Sequence, residues 1–201
     1  MGAVEFRRQR AVFLDRDGVI NYNVLNPATG EFESPLTAGD FAFIPGSLDA
    51  MRALRSAGFL LFLVSNQPNV AKGKSTLEQL STIHQKFVSG LAVAGIDFTR
   101  FYYCLHHPQG IVSGYSGPCE CRKPSPYFLL TAGSQFDLCL RRSWMVGDRQ
   151  TDIECGKAAG ARTIFIQSAK SHYSCATHPD TVAPDIRTAA RLILTAGQVV
   201  F

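Results

Sequence analysis

Residues 59–64 read Phe-Leu-Leu-Phe-Leu-Val, apolar at every position. A strand with one wet face alternates apolar and polar side chains. A run with no alternation fits a central parallel strand covered on both faces. The rest of the chain keeps the rhythm such a sheet needs. Residues 11–14, 101–104, 143–146 and 163–166 are further short strand candidates. Between them lie helical patterns. Residues 46–57 carry Leu48, Met51 and Leu54 at helical spacing, and a capping box from Ser75 to Glu78 opens a helix running to about residue 94, closed by Gly95. Residues 126–136, 151–159 and 187–194 complete the set. Alternation of this kind predicts an α/β fold: a Rossmann-like central parallel sheet with helices on both faces.

Composition places few limits beyond this. With 201 residues, 46% hydrophobic and 18% charged, the chain reads as one globular domain over residues 1–201 with a sizeable core. The net charge is +4, and the only basic run longer than a pair is Arg7-Arg8-Gln9-Arg10, so no nucleic-acid partner is expected. No apolar run reaches spanning length and no signal-peptide pattern opens the chain, so no membrane partner is expected. Of the six cysteines, three fall within residues 104–121 among histidines, which reads as metal binding and not as a disulfide framework. A reducing, cytoplasmic location and a monomer are the expectations.

Two stretches break the rhythm: the polar residues 21–40 after the first strand, and the Gly/Pro/Cys-rich residues 104–124 after the third. Long segments of this kind are often functional, and open parallel sheets bind ligands beyond the carboxyl ends of their strands. Asp15 and Asp17 follow the first strand directly. As a pair alone they fit a solvated acidic turn equally well. A second pair, Asp148 and Asp152, stands at the mouth of another apolar strand. Carboxylates at neighbouring strand ends repel unless a cation lies between them, and hard Mg²⁺ suits such oxygens. Ser65, Asn66 and Gln67 end the most apolar strand and can donate to a phosphoryl oxygen. Arg122 and Lys123 offer cations for phosphate charge.

A second constellation is Cys104-Leu105-His106-His107 with Cys119-Glu120-Cys121. Three thiols and an imidazole form a soft tetrahedral set suited to Zn²⁺, with His107 competing against His106. Four protein ligands, Cys104, His106, Cys119 and Cys121, leave no open position, so the site is expected to be structural: a small zinc-bound loop insertion in the sheet fold.

In their order along the chain, Asp15-x-Asp17, Ser65, Lys123 and Gly147-Asp148-x-x-x-Asp152 resemble the haloacid dehalogenase superfamily of phosphotransferases. The zinc-type loop running into Cys121-Arg122-Lys123-Pro124 is similar to the branch of heptose-bisphosphate and histidinol-phosphate phosphatases, over about residues 11–167. The resemblance implies that Asp15 is a nucleophile forming an aspartyl-phosphate, with Asp17 first the general acid and then the base. Ser65 and Lys123 complete the catalytic set, Asp15, Asp17 and Asp148 are the implied Mg²⁺ ligands, and Asn66, Gln67, Arg122 and Arg149 face the substrate. The implied reaction removes the 7-phosphate from a heptose 1,7-bisphosphate, a small phosphorylated sugar. Histidinol phosphate is the alternative substrate, and a non-hydrolysing, zinc-stabilised phosphosugar-binding protein is the alternative of another kind.

Overall fold

The computed structural model describes residues 8–27, 30–167 and 175–196; Arg7 of the basic run and residues 168–174 of the tail lie outside them. Six strands form one parallel sheet: β1 (Ala11–Leu14), β4 (Leu60–Asn66), β5 (Arg100–Cys104), β6 (Trp144–Gly147), β7 (Arg162–Ile166) and β8 (Thr181–Ala183), in the order β5-β4-β1-β6-β7-β8. β1 is central, with β4 on one side (Ala11 opposite Leu60) and β6 on the other (Val12 opposite Trp144). All four residues of β1 are fully buried, as the two-sided cover requires.

The pleat sends alternate residues to two cores. Val12, Leu14, Leu61, Leu63 and Val146 pack with buried residues of α1 (Ser47–Ser56), α2 (Leu77–Val93) and α5 (Ile186–Ala196). Ala11, Phe13, Phe62, Val64 and Met145 pack with those of α3 (Tyr127–Gln135) and α4 (Gln150–Ala158). Helices therefore cover both faces, as the strand–helix alternation predicted. No helix among the described residues is long and apolar enough to cross a membrane.

Three details depart from the sequence reading. The α2 capping box is formed by Thr76 and Gln79, one residue beyond the expected start: Thr76 Oγ1 accepts from Gln79 N at 3.1 Å, and Gln79 Oε1 accepts from Thr76 N at 2.8 Å. Thr76 has the extended backbone that a cap requires. Residues 21–40 are not all irregular, since β2 (Val24–Leu25) and β3 (Phe32–Glu33) pair as an antiparallel ribbon. β8 is a sheet edge strand that the sequence reading left unassigned.

Beneath the sheet edge that carries the site, α4 lies very close to its strands. A Cβ added at Gly156 would sit 2.7 Å from Met145 Cβ and from Thr163 Cγ2. Gly156→Ala gains about 1 kcal/mol of helix propensity but incurs overpacking of about 1–3 kcal/mol. A net loss of stability is expected, read as a lower denaturant midpoint at unchanged m-value.

Candidate active site

Parallel strands all point their carboxyl ends the same way, so the motifs that follow β1, β4 and β6 meet at one edge. Asp15 N donates to Val146 O at 3.0 Å, which extends the β1–β6 ladder by one residue and places the Asp15 carboxyl at the mouth of the sheet. The carboxylates of Asp15, Asp148 and Asp152 converge there, with one oxygen of each within 4.8 Å of the others. The backbone also has to pass close by. Gly18 has φ +85°, and a Cβ on it would come 2.0 Å from Asp148 Oδ2, so only glycine fits this turn.

Lys123 is the single ammonium in this cluster among the described residues. Its Nζ lies 3.0 Å from Asp15 Oδ1, pairs with Asp152 Oδ1, and donates to Val64 O at 2.7 Å. Burial opposes its charge, but Asp15 and Asp152 together hold its pKa above the ordinary lysine value. Three carboxylates against one ammonium leave excess negative charge. Burial, reinforced by the charges of Asp15 and Asp152, pushes Asp148 well above the usual carboxylate range. Burial also raises Asp152, to about 6, against the pull of Lys123. Asp148 Oδ1 is buried with no hydrogen-bond partner, which is what a cation site looks like from the protein side. An oxygen-rich acidic set of this kind fits a hard divalent cation.

The expected ligand Asp17 is held differently. Its carboxylate does not join the acidic group. Oδ1 accepts from Arg16 Nε (3.0 Å) and Asn21 Nδ2 (2.8 Å), while Oδ2 accepts from Arg16 Nη2 (3.2 Å) and Gln67 Nε2 (2.6 Å). The only other oxygen Asp17 can offer a cation is its main-chain carbonyl. Burial raises the Asp17 pKa, but the Arg16 cation and these hydrogen bonds hold it below the usual range. Asp152, which the sequence reading matched as a motif residue but left out of the ligand set, stands in the acidic group instead.

The other expected residues divide between the cavity and its wall. A cavity of about 840 Å³ is lined by Asp15, Asp17, Asn66, Arg122, Lys123, Asp148, Arg149 and Asp152, with β3 and Lys72 and Lys74 along its rim. Ser65 and Gln67 are buried behind it, with Gln67 Nε2 donating to Ser65 Oγ at 2.9 Å. Asn66 exchanges hydrogen bonds with the backbone of Lys123, 3.1 Å in each direction. The amides of Asn66 and Gln67, expected against substrate, thus hold Lys123 and Asp17 in place. Sequence reasoning missed Arg16, whose signal was its position between two aspartates at the end of a wholly apolar strand. It also missed Asn23, which donates to Asp148 Oδ2 at 3.3 Å.

The cysteine cluster forms as its residue types implied. Cys119 Sγ lies 3.6 Å from Cys104 Sγ and 3.7 Å from Cys121 Sγ, and Cys121 Sγ lies 3.8 Å from His106 Nδ1. Sulfurs around a tetrahedral zinc with Zn–S of about 2.3 Å stand about 3.8 Å apart, so the set fits that ion. His107 stays out of the group, and its Nδ1 accepts from Gln109 N at 3.1 Å. Arg122 Nη1 donates to His106 O at 3.1 Å, tying the cluster to the cavity.

Residues 120–189 match the HAD-hydrolase-like family model. The chain is 38% identical over 161 residues to D-glycero-beta-D-manno-heptose-1,7-bisphosphate 7-phosphatase of Escherichia coli (strain K12), covering 80% of each chain. The Vibrio cholerae enzyme of that name is also 38% identical, over 80% of this chain and 82% of its own. Among solved structures, the D,D-heptose 1,7-bisphosphate phosphatase of B. bronchiseptica, complexed with magnesium and phosphate, superposes with a TM-score of 0.76 at 26% identity, covering 94% of this chain and 99% of its own. The chain belongs to the haloacid dehalogenase-like phosphatases, in the family of these heptose bisphosphate phosphatases.

Proposed function

We propose that this phosphatase removes the 7-phosphate from D-glycero-D-manno-heptose 1,7-bisphosphate, with Asp15 as the nucleophile. One observation carries the reading: Asp15 and Lys123 meet at the floor of a cavity whose upper wall, at Arg122, is tied to the cysteine cluster. This combination supports the relatives' activity over that of a phosphosugar-binding protein, which would have no need of a buried carboxylate–ammonium pair under its ligand.

In the first step an Asp15 oxygen attacks phosphorus and the bond to the leaving oxygen breaks, with Asp17 supplying the proton that oxygen takes up. The dianionic phosphate raises the Asp17 pKa as it enters, which opposes the hold of Arg16. In the second step water attacks the aspartyl-phosphate and Asp17 accepts its proton, a role that suits the ionised form favoured by Arg16, Asn21 and Gln67. Lys123 lies against Asp15 and offsets charge on the transferred phosphoryl group. Arg122 and Arg149, on the cavity wall, face the sugar phosphate. Asp15, Asp148 and the main-chain oxygen of Asp17 would hold Mg²⁺, which when bound would supply positive charge to offset that of the phosphoryl group. Cys104, His106, Cys119 and Cys121 would hold Zn²⁺ as a structural clamp on the loop.

Asp15→Asn tests the nucleophile. With the heptose bisphosphate as substrate and phosphate release as the readout, turnover is expected to fall by about 10⁴-fold or more, since an amide cannot form the acyl-phosphate. Residual activity within tenfold of the native chain, with the fold intact by circular dichroism, rules the covalent route out.

The acidic group yields a test that needs no turnover. A carboxyl whose pKa is raised by folding binds its proton more tightly in the folded chain. It therefore withdraws stability as pH rises above the ordinary carboxylate range. In chelator at pH 7, Asp148→Asn is expected to melt higher than the native chain by roughly 2–4 °C per kcal/mol relieved, and the advantage should vanish near pH 4. Saturating Mg²⁺ should raise the native Tm and leave the variant's nearly unchanged. A native chain whose Tm ignores Mg²⁺ counts against this cation site.

The clamp is tested by Cys119→Ser. Protein purified without chelator should carry one zinc per native chain by elemental analysis and less in the variant. KM should rise and kcat fall together, because the loop places both Arg122 and Lys123. A zinc-free native chain, or a fully active variant, removes the proposal.

A further inference from the structure

The grip of Arg16 on Asp17 uses only part of the guanidinium. Nε and Nη2 hold the two carboxylate oxygens, while Nη1 is buried without a hydrogen-bond partner. Arg16 is wholly buried. Against the same guanidinium stands Tyr103, from β5, with its ring centroid 5.8 Å from Arg16 Cζ. The two groups act on each other: burial raises the Tyr103 pKa, and the Arg16 cation counters part of that rise. Tyr103 Oη lies 3.0 Å from His84 Nδ1, on α2. The His84 ring is packed edge-on against Phe101 (5.0 Å) and Tyr103 (5.6 Å), which fixes its plane. Burial and the Arg16 charge both lower the His84 pKa, favouring a neutral ring. Neither Tyr103 nor His84 lines the cavity.

We propose that Tyr103 and His84 are positioning residues of the reaction, bracing Arg16 from behind so that Arg16 holds the Asp17 carboxyl in line with the leaving oxygen. The proposal rests on the reading of Asp17 as the proton donor. With the ring proton on Nε2, His84 Nδ1 accepts the phenolic proton, which fixes the Tyr103 ring against the guanidinium. Proton transfer needs donor and acceptor within about 2.6–3.2 Å, so a guanidinium free to shift carries its carboxylate out of range. The side chains form one line from the α2 surface to the cavity: His84, Tyr103, Arg16, Asp17.

The experiment compares kcat/KM, which reports the first phosphoryl transfer, on two substrates. The heptose bisphosphate has a poor alkoxide leaving group that needs a proton, whereas 4-nitrophenyl phosphate has a leaving group that does not. Tyr103→Phe keeps the ring and removes the hydroxyl. It should lower kcat/KM on the sugar by about tenfold, a part of what general acid catalysis contributes, with a loss of about twofold or less on the aryl ester. His84→Ala should show the same selectivity at smaller size. His84→Asn should recover most of it, since its amide oxygen can stand near the place of Nδ1. Equal losses on both esters, or no loss, overturn the proposal, and the part-exposed His84 pair decides it if Tyr103→Phe does not fold. Asp17→Asn run alongside separates the two readings. If it lacks leaving-group selectivity, the role of Asp17 as acid fails. If it is selective and the Tyr103 and His84 variants are not, only the bracing role fails.

Discussion

The rest of the site depends on one buried ammonium. Lys123 Nζ sits among Asp15, Asp152 and the Val64 carbonyl with almost no exposure. A lone buried lysine would shed its proton, and lone buried carboxylates would take one up. Together, each partner removes the main cost of burying the other. The balance is incomplete by design of the sequence: Asp148 joins the group with no ammonium of its own and one oxygen without a partner. Arg16 and Asp17, one residue apart, form a separate neutral pair and contribute nothing to that deficit. The local charge therefore calls for a cation from solution, whereas a chain with a second lysine at this edge would have no use for one.

Topology is what allows so many charges to meet without breaking a core. Every strand of the sheet ends at the same edge, and β1 has neighbours on both sides, so the turns after β1, β4 and β6 converge on one point. β1, β4 and β6 remain apolar up to their last residues, and the polar groups begin where the pleat runs out. Val64 shows the arrangement in one residue: its side chain belongs to the α3/α4 core, while its carbonyl accepts from Lys123.

This division also decides what could be read from the sequence. Strands and helices were legible because burial on two faces leaves runs such as residues 59–64, and helix faces leave residues at i, i+3 and i+4. The metal-type clusters were legible because residue chemistry survives without coordinates: three thiols and an imidazole suit few other purposes. Hydrogen-bond commitment was not legible. Asn66 and Gln67 look like phosphate donors in the sequence, yet their amides are fixed on Lys123 and on Asp17 and Ser65. The direction of the Asp17 side chain depends on Asn21 and Gln67, one nearby and one fifty residues away, and no local pattern carries that. Short ribbons such as β2–β3 have too few residues to show a period at all.

The two walls of the cavity face a common difficulty, which is to order a segment with no apolar core of its own. The β2–β3 ribbon meets it with polar contacts: Glu33 pairs with Lys74 and accepts from Asn26, and Ser34 O accepts from Asn69. The cysteine loop meets it with four convergent ligands and with Arg122 bonded back to His106 O. Apart from Cys104, the last residue of β5, these contacts lie outside the cores that hold the sheet. Wall residues can therefore change, and with them the fit to the sugar, without loosening β1 or its neighbours. The constraint runs the other way at the floor, where Asp15, Lys123 and Asp152 are bound to the sheet and to each other.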